Sequence, residues 1–275
     1  MEASVREVIE MRPVERGGAG DLGRAELPEE PKAFGTSGLV NFGSVTFPFI
    51  TRARREMSIT LSLQPIFGLK NGQVVSRRIR RLVRHQGGEP ALRGLGRPML
   101  ETADLRRIDL LTLHHGASLL RPGDTDGGVL PAFWRTVASS HGRFAMIYAG
   151  DQTEAPAGRV MVEVVGIPDR PDVQAVAEAI EHFETDRRGI ILHIPPDPAL
   201  ADRLAGAGCA CLSVDFAAVD YDHPRGWHEA DRLIRAARRA APKVLILNIA
   251  AHWGAAAAEA GATHAVFRSS EGVRV

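Results

Sequence analysis

The sequence predicts an α/β protein built on a parallel sheet. Three short runs carry that prediction: Ile190-Ile191-Leu192-His193-Ile194, Cys211-Leu212-Ser213-Val214-Asp215-Phe216 and Val244-Leu245-Ile246-Leu247-Asn248-Ile249. Each is apolar nearly throughout, as a strand buried on both faces must be, and each is followed by a helix-like stretch. Each also ends in or near a polar residue. An α/β barrel keeps its chemistry at the C-terminal ends of its strands. Those ends carry few carboxylates here.

Residues 1–55 read differently. Gly17-Gly18-Ala19-Gly20, Pro28-Glu29-Glu30-Pro31 and Gly35-Thr36-Ser37-Gly38 are turn and breaker signals without a helical period. Low hydrophobicity and charge leave little to bury there. They predict an N-terminal extension over 1–55, disordered to about residue 38, and a main domain over 56–275. Residues 39–50 are more apolar and are expected to dock on that domain. Residues 52–57 open a short helix on this reading.

The first firm element is a hairpin. Residues 61–69 form one strand, Lys70-Asn71-Gly72-Gln73 the turn, and Val74-Val75 the return. Asn-Gly between apolar runs signals a type I′ turn, since both residues accept positive φ. Pro65 cannot donate to a ladder, so its nitrogen should face an edge or a bulge. Next come five arginines within residues 77–84. They read as a solvated helix face, with phosphate or an acidic partner surface as the sharper alternative.

Residues 99–120 form a helix with Leu105, Ile108, Leu111 and Leu119 on one side. Residues 123–128 are a loop, 129–134 a strand and 142–149 a short helix. Phe133 and Trp134 read as core rather than as a base-stacking pair. His114-His115 reads as a partly exposed pair, since adjacent helical residues point about 100° apart. From residue 160 the βα alternation is plain. Strands 160–165, 190–194, 211–216, 244–249 and 264–267 alternate with helices 171–185, 198–207, 228–240 and 253–260. Asp169 or Asp172 caps the first of these helices, and Gly208 and Gly261 end the second and fourth.

Composition excludes several classes. A net charge of +1 gives no field to steer the chain to a nucleic acid polymer or an anionic membrane. No stretch approaches the roughly twenty apolar residues of a membrane helix. Cys209 and Cys211, the two cysteines, would point to one face of a strand, too close along the chain for an ordinary disulfide. They read as small packing residues in a reducing cytoplasm.

The hairpin and the βα run together resemble the EAL-domain family, bacterial cyclic di-GMP phosphodiesterases built on a modified (β/α)8 barrel. Leu63-Gln64-Pro65-Ile66-Phe67-Gly68-Leu69-Lys70-Asn71-Gly72-Gln73-Val74-Val75 is similar to the family's opening, where Gln-Pro-Ile precedes a turn and a second strand. Val162-Glu163-Val164, Leu192-His193-Ile194, Leu212-Ser213-Val214-Asp215-Phe216 and Leu247-Asn248-Ile249 before Ala260-Gly261-Ala262 follow in the family's order. The resemblance covers about residues 56–270. It implies a modified TIM-type barrel whose first strand runs against its neighbours.

The departures matter more than the matches. Where the family has the Glu-Ala-Leu that supplies a metal ligand, this chain has Ser76-Arg77-Arg78-Ile79-Arg80. The family's paired aspartates align with His193-Ile194, its Lys with Ser213 and its late Glu with Asn248. No Asn stands near Phe133-Trp134-Arg135, where the family has one. Of the ligand and catalytic positions only Glu163 and Asp215 keep a carboxylate. Two carboxylates cannot hold two divalent ions with a bridging water.

The resemblance with these departures implies a degenerate, catalytically inactive EAL-like domain, with no metal, no cofactor and no catalytic residue. Glu163, His193, Asp215 and Asn248 are then candidates for a vestigial ligand pocket. For His193 the blander role is a structural histidine bonded to nearby backbone; for Asp215, the cap of the next loop. The expected setting is cytoplasmic signalling with a protein partner and weak or absent cyclic di-GMP binding. The alternative is a divergent phosphodiesterase using Glu163, Asp215 and His193 with one Mg or Mn ion. A third reading is an unrelated barrel or doubly wound enzyme; strand order separates it from the others.

Overall fold

The computed structural model describes residues 43–85, 100–120, 127–151, 160–185 and 189–268. The extension read as disordered and the connection before residue 99 fall outside them. The chain order is β1 (Ser44–Ile50), β2 (Glu56–Gly68), β3 (Val74–His85), α1 (Thr102–Leu119), β4 (Gly128–Phe133), α2 (Trp134–Val137), α3 (Ser140–Asp151) and β5 (Val160–Val165). It continues with α4 (Val173–Thr185), β6 (Ile190–Ile194), α5 (Pro198–Arg203), β7 (Cys211–Asp215), α6 (Pro224–Ala240), β8 (Lys243–Ile249), α7 (Gly254–Ala260) and β9 (His264–Phe267).

Strands β2 to β9 close into a barrel, because β2 pairs with β9 as well as with β3. Pairs from β3–β4 to β8–β9 are parallel. Strand β2 runs antiparallel to both β3 and β9. The opening strand therefore runs against its neighbours, as the resemblance implies, and an all-parallel barrel is excluded. Pairing of β2 with β1 ends at Ser62, and that with β9 begins at Phe67. Pro65 lies in the gap, where its missing N–H forfeits no ladder bond.

Period-two alternation sorts the side chains. On β5, β6 and β7 the even-numbered residues Val162, Val164, Leu192, Ile194, Leu212 and Val214 face out into the core under the helices. Odd-numbered ones such as Ile191 and Cys211 fill the barrel interior with Ile66, Val129, Leu245 and Val266. A second core lies under α1. There Met57, Ile59, Leu61, Ile79 and Val83, from the paired parts of β2 and β3 that extend beyond β4, meet Leu105, Ile108 and Leu113. Each fully buried side chain of this size contributes roughly 1.5–3 kcal/mol. Helix α1 approaches β4 closely at Gly116, where a Cβ would stand 2.5 Å from Leu130.

Three expectations need correction. Residues 52–57 form no helix: a turn whose Arg54 has φ 58° leads straight into β2. The hairpin is not type I′. Only Gly72 of the pair has positive φ, 68°, while Asn71 Oδ1 accepts from the Gln73 N–H at 3.2 Å. The ladder shifts register at Ile66/Phe67 and closes with Gly68 N–H donating to Gln73 O at 2.9 Å. The arginine run is a strand rather than a helix face. Every residue from Arg77 to His85 pairs across to β2, and the extended backbone sends successive residues to opposite faces.

The remaining elements match their readings within a few residues. Asp172, not Asp169, caps α4, accepting from Gln174 N–H at 3.0 Å. Helix α6 starts four residues before its apolar period, because His223 Nδ1 accepts from Gly226 N–H and Pro224 opens the first turn. Phe133 is buried and Trp134 packs on the core. His114 is exposed, and the His115 ring lies tilted against Phe47 with centroids 4.3 Å apart. The cysteines are buried and not joined in a disulfide, and they do not share a face: Cys209 precedes the strand and joins the outer core, while Cys211 points into the barrel.

Candidate functional site

Glu163 is the centre of the barrel interior. It is an odd-numbered residue of β5, so the pleat turns it inward, and it is fully buried. A carboxylate there needs donors for both oxygens. Arg78 Nε donates to Oε2 at 2.6 Å. Ser213 Oγ donates to Oε1 at 2.8 Å, and His193 Nδ1 lies 3.5 Å from the same oxygen. Since Ser213 gives its one proton to Glu163, the 3.1 Å contact of His193 Nδ1 with Ser213 Oγ requires His193 to donate. Arg78 is held from the other side by Gln64 Oε1, which accepts from Nη1 at 3.0 Å.

These five side chains come from β2, β3, β5, β6 and β7. Burial alone would push the Glu163 carboxyl up. The Arg78 guanidinium and the hydrogen bond from His193 outweigh it and hold the group well below the usual carboxylate range. Glu163 is therefore ionised and paired, with a cation belonging to the chain itself.

Nearer the strand ends lies a second group. Asp215 Oδ1 accepts from Ala217 N–H at 2.8 Å, which caps the turn after β7. The same oxygen accepts from Asn248 Nδ2 at 2.7 Å. Asn248 has φ 58°, a left-handed conformation that asparagine tolerates better than most residues, at the register shift between Leu247 and Ile249. Tyr221, buried beneath, ties this corner down. Its hydroxyl donates to Asn248 O at 3.2 Å and accepts from Ala250 N–H at 3.0 Å.

The four predicted site residues thus fall into two clusters. Glu163 and His193 touch each other, and Asp215 and Asn248 touch each other. His193 bonds to side chains rather than to backbone, contrary to its structural reading. The capping role read for Asp215 is present. Sequence reasoning missed Gln64 and the partnership of Arg78. A signal existed: a carboxylate inside an apolar strand demands a cation, and Arg78 stands where the resemblance puts a metal-binding Glu.

That resemblance implies two divalent cations at this centre. The residues present do not fit them. A guanidinium already sits against Glu163, and repulsion from it opposes a second cation. Among the described residues no group of three or more His, Cys, Asp or Glu side chains is placed to hold a metal ion. No helix of the described residues is long and apolar enough to cross a membrane.

Neither a family model nor a curated protein matches the sequence. Solved structures do match the fold. A standalone EAL protein from Vibrio cholerae O395, in its c-di-GMP-bound form, superposes with TM-score 0.56 at 14% identity, over 75% of this chain and 88% of that one. The PaMucR phosphodiesterase in complex with c-di-GMP gives 0.55 at 14%, over 75% and 92%. The FimX EAL domain of Xanthomonas citri, also in complex with c-di-GMP, gives 0.54 at 13%, over 76% and 85%. Closed barrel, reversed opening strand and these superpositions agree: the chain has the fold of an EAL domain.

Proposed function

We propose that this protein is a non-catalytic EAL-type domain, serving as a regulatory or interaction module in bacterial cyclic di-GMP-type signalling. One observation carries the reading: both carboxylates that remain at the family's ligand positions are engaged by the chain's own donors. Glu163 is taken by Arg78 and Ser213, and Asp215 by Ala217 N–H and Asn248. Hydrolysis by two metals needs several free hard oxygens, and among the described residues no group of three or more His, Cys, Asp or Glu side chains is placed to supply them. On this reading the domain works without Mg or Mn, acts through a protein partner, and binds cyclic di-GMP weakly or not at all. The solved relatives that carry c-di-GMP motivate the choice of nucleotide.

The test is incubation of the full chain with cyclic di-GMP and Mg²⁺ or Mn²⁺, with product separation, beside isothermal titration of the same nucleotide. No turnover with either metal and a dissociation constant weaker than micromolar are expected. Metal-dependent turnover that drops in Glu163→Gln would instead establish the divergent phosphodiesterase built on Glu163, Asp215 and His193, for which the proximity of His193 to Glu163 speaks. Micromolar or tighter binding without turnover would make the domain a nucleotide receptor.

A further inference from the structure

The misfit between this interior and a metal centre has a specific form. Two acceptors meet one guanidinium, Glu163 Oε2 and Gln64 Oε1, while Ser213 Oγ donates to the second Glu163 oxygen. The Arg78 side chain is 12% exposed and that of Glu163 is not exposed at all. An ionised carboxylate this deep is costly unless a cation stands beside it. Nothing among the described residues except Arg78 meets Glu163 with a permanent positive charge, since His193 is charged only when protonated.

We propose that Arg78 is the resident cation of this barrel. Its guanidinium supplies the charge a bound ion would bring, so that the interior is closed and neutral in the protein as synthesised. The inference rests on the reading above and adds a physical role to it: Arg78 is a positioning residue that keeps Glu163, Ser213 and Gln64 in one arrangement without any ligand. A consequence follows from geometry. Removing the guanidinium while keeping Glu163 and Gln64 leaves two acceptors, Oε2 and Oε1, without their donor, and an external cation should enter the space between them.

The experiment is a double-mutant cycle with a rescue arm, on the full chain, read by thermal unfolding. Arg78→Leu should lower the midpoint by about 10 °C, because it strands a buried charge. The double variant Arg78→Leu/Glu163→Leu should regain most of that loss, since removing both partners is far less costly than removing one. The smaller Arg78→Ala should gain at least about 3 °C from low-millimolar guanidinium or Mn²⁺, with the wild type unchanged. Additive losses in the cycle, or an Arg78→Ala protein that neither ion stabilises, overturn the proposal. If Arg78→Leu alone does not fold, a folded double variant supports it and an unfolded one overturns it. These outcomes are distinct from metal-dependent turnover by the wild type, which would overturn the functional reading itself.

Discussion

Two arginines three residues apart on β3 each meet a buried carboxylate, on opposite sides of the same sheet. Arg78 points into the barrel and pairs with Glu163 at 2.6 Å. Arg81 points out under α1 and pairs with Asp109 at 2.7 Å. The inner pair is completed by Ser213, His193 and Gln64. The outer one ties three elements together: Asp109 also accepts from Phe133 N–H at 3.1 and 3.2 Å, and the Arg81 guanidinium lies 4.1 Å from the Phe133 ring centroid. Yet Arg81 Nη2 has no hydrogen-bond partner among the described residues. Burial raises the Asp109 carboxyl despite Arg81, Thr136 and Phe133, whereas the inner donors depress Glu163. The same chemical pair is thus a fastening in one place and a filled centre in the other.

Breaking the outer pair should cost most. Asp109→Ala removes the partner of Arg81 and strands the Phe133 N–H; a loss of about 3–5 kcal/mol is expected in urea unfolding. A loss under about 1 kcal/mol would reduce the pair to packing. Breaking the inner pair with Glu163→Gln should cost about 2–3 kcal/mol by the same measurement, because the amide oxygen still accepts and Arg78 is partly hydrated.

The strand-end corner should respond less. Asn248→Ala loses the bond to Asp215 and keeps the left-handed backbone, at about 1–2 kcal/mol, and Asn248→Gly should cost less because glycine accepts that φ. Equal midpoints for the two variants would show that the conformation carries no strain.

The smallest effect is a difference in pH response. Glu163, depressed in the folded state, contributes stability above the ordinary glutamate pKa and loses it as pH falls through the folded value. The advantage of wild type over Glu163→Gln should therefore shrink below about pH 4. Asp109, raised in the folded state, has the opposite sign. Its contribution is fullest below the unfolded pKa and declines as pH rises through the folded one, so wild type should gain on Asp109→Asn as pH falls. Parallel unfolding curves across pH for the two variants would erase the distinction.

Much of the barrel was legible in the residues. Ile190–Ile194 and Lys243–Ile249 announce themselves because a strand buried on both faces has no alternation to confuse. The arginine run misled for the complementary reason. Arg78, Arg80 and Arg84 alternate with Ile79, Arg81 and Val83, and a charge at the buried Arg81 position hides the period-two signal. Helix α6 was read short because capping by His223 precedes its apolar face.

What the sequence by itself determined was the series of strands from residue 129 onward, their order along the chain, and the loss of carboxylates at the positions where the resemblance expects them. These are local properties, written in periodicity and residue type. Only the tertiary structure decided what replaced them. Arg78 and Glu163 are 85 residues apart, and their meeting depends on barrel closure, strand register and the side of the pleat each occupies. A shift of one residue in either strand would turn one partner out of the interior, which is why no local pattern encodes the pair.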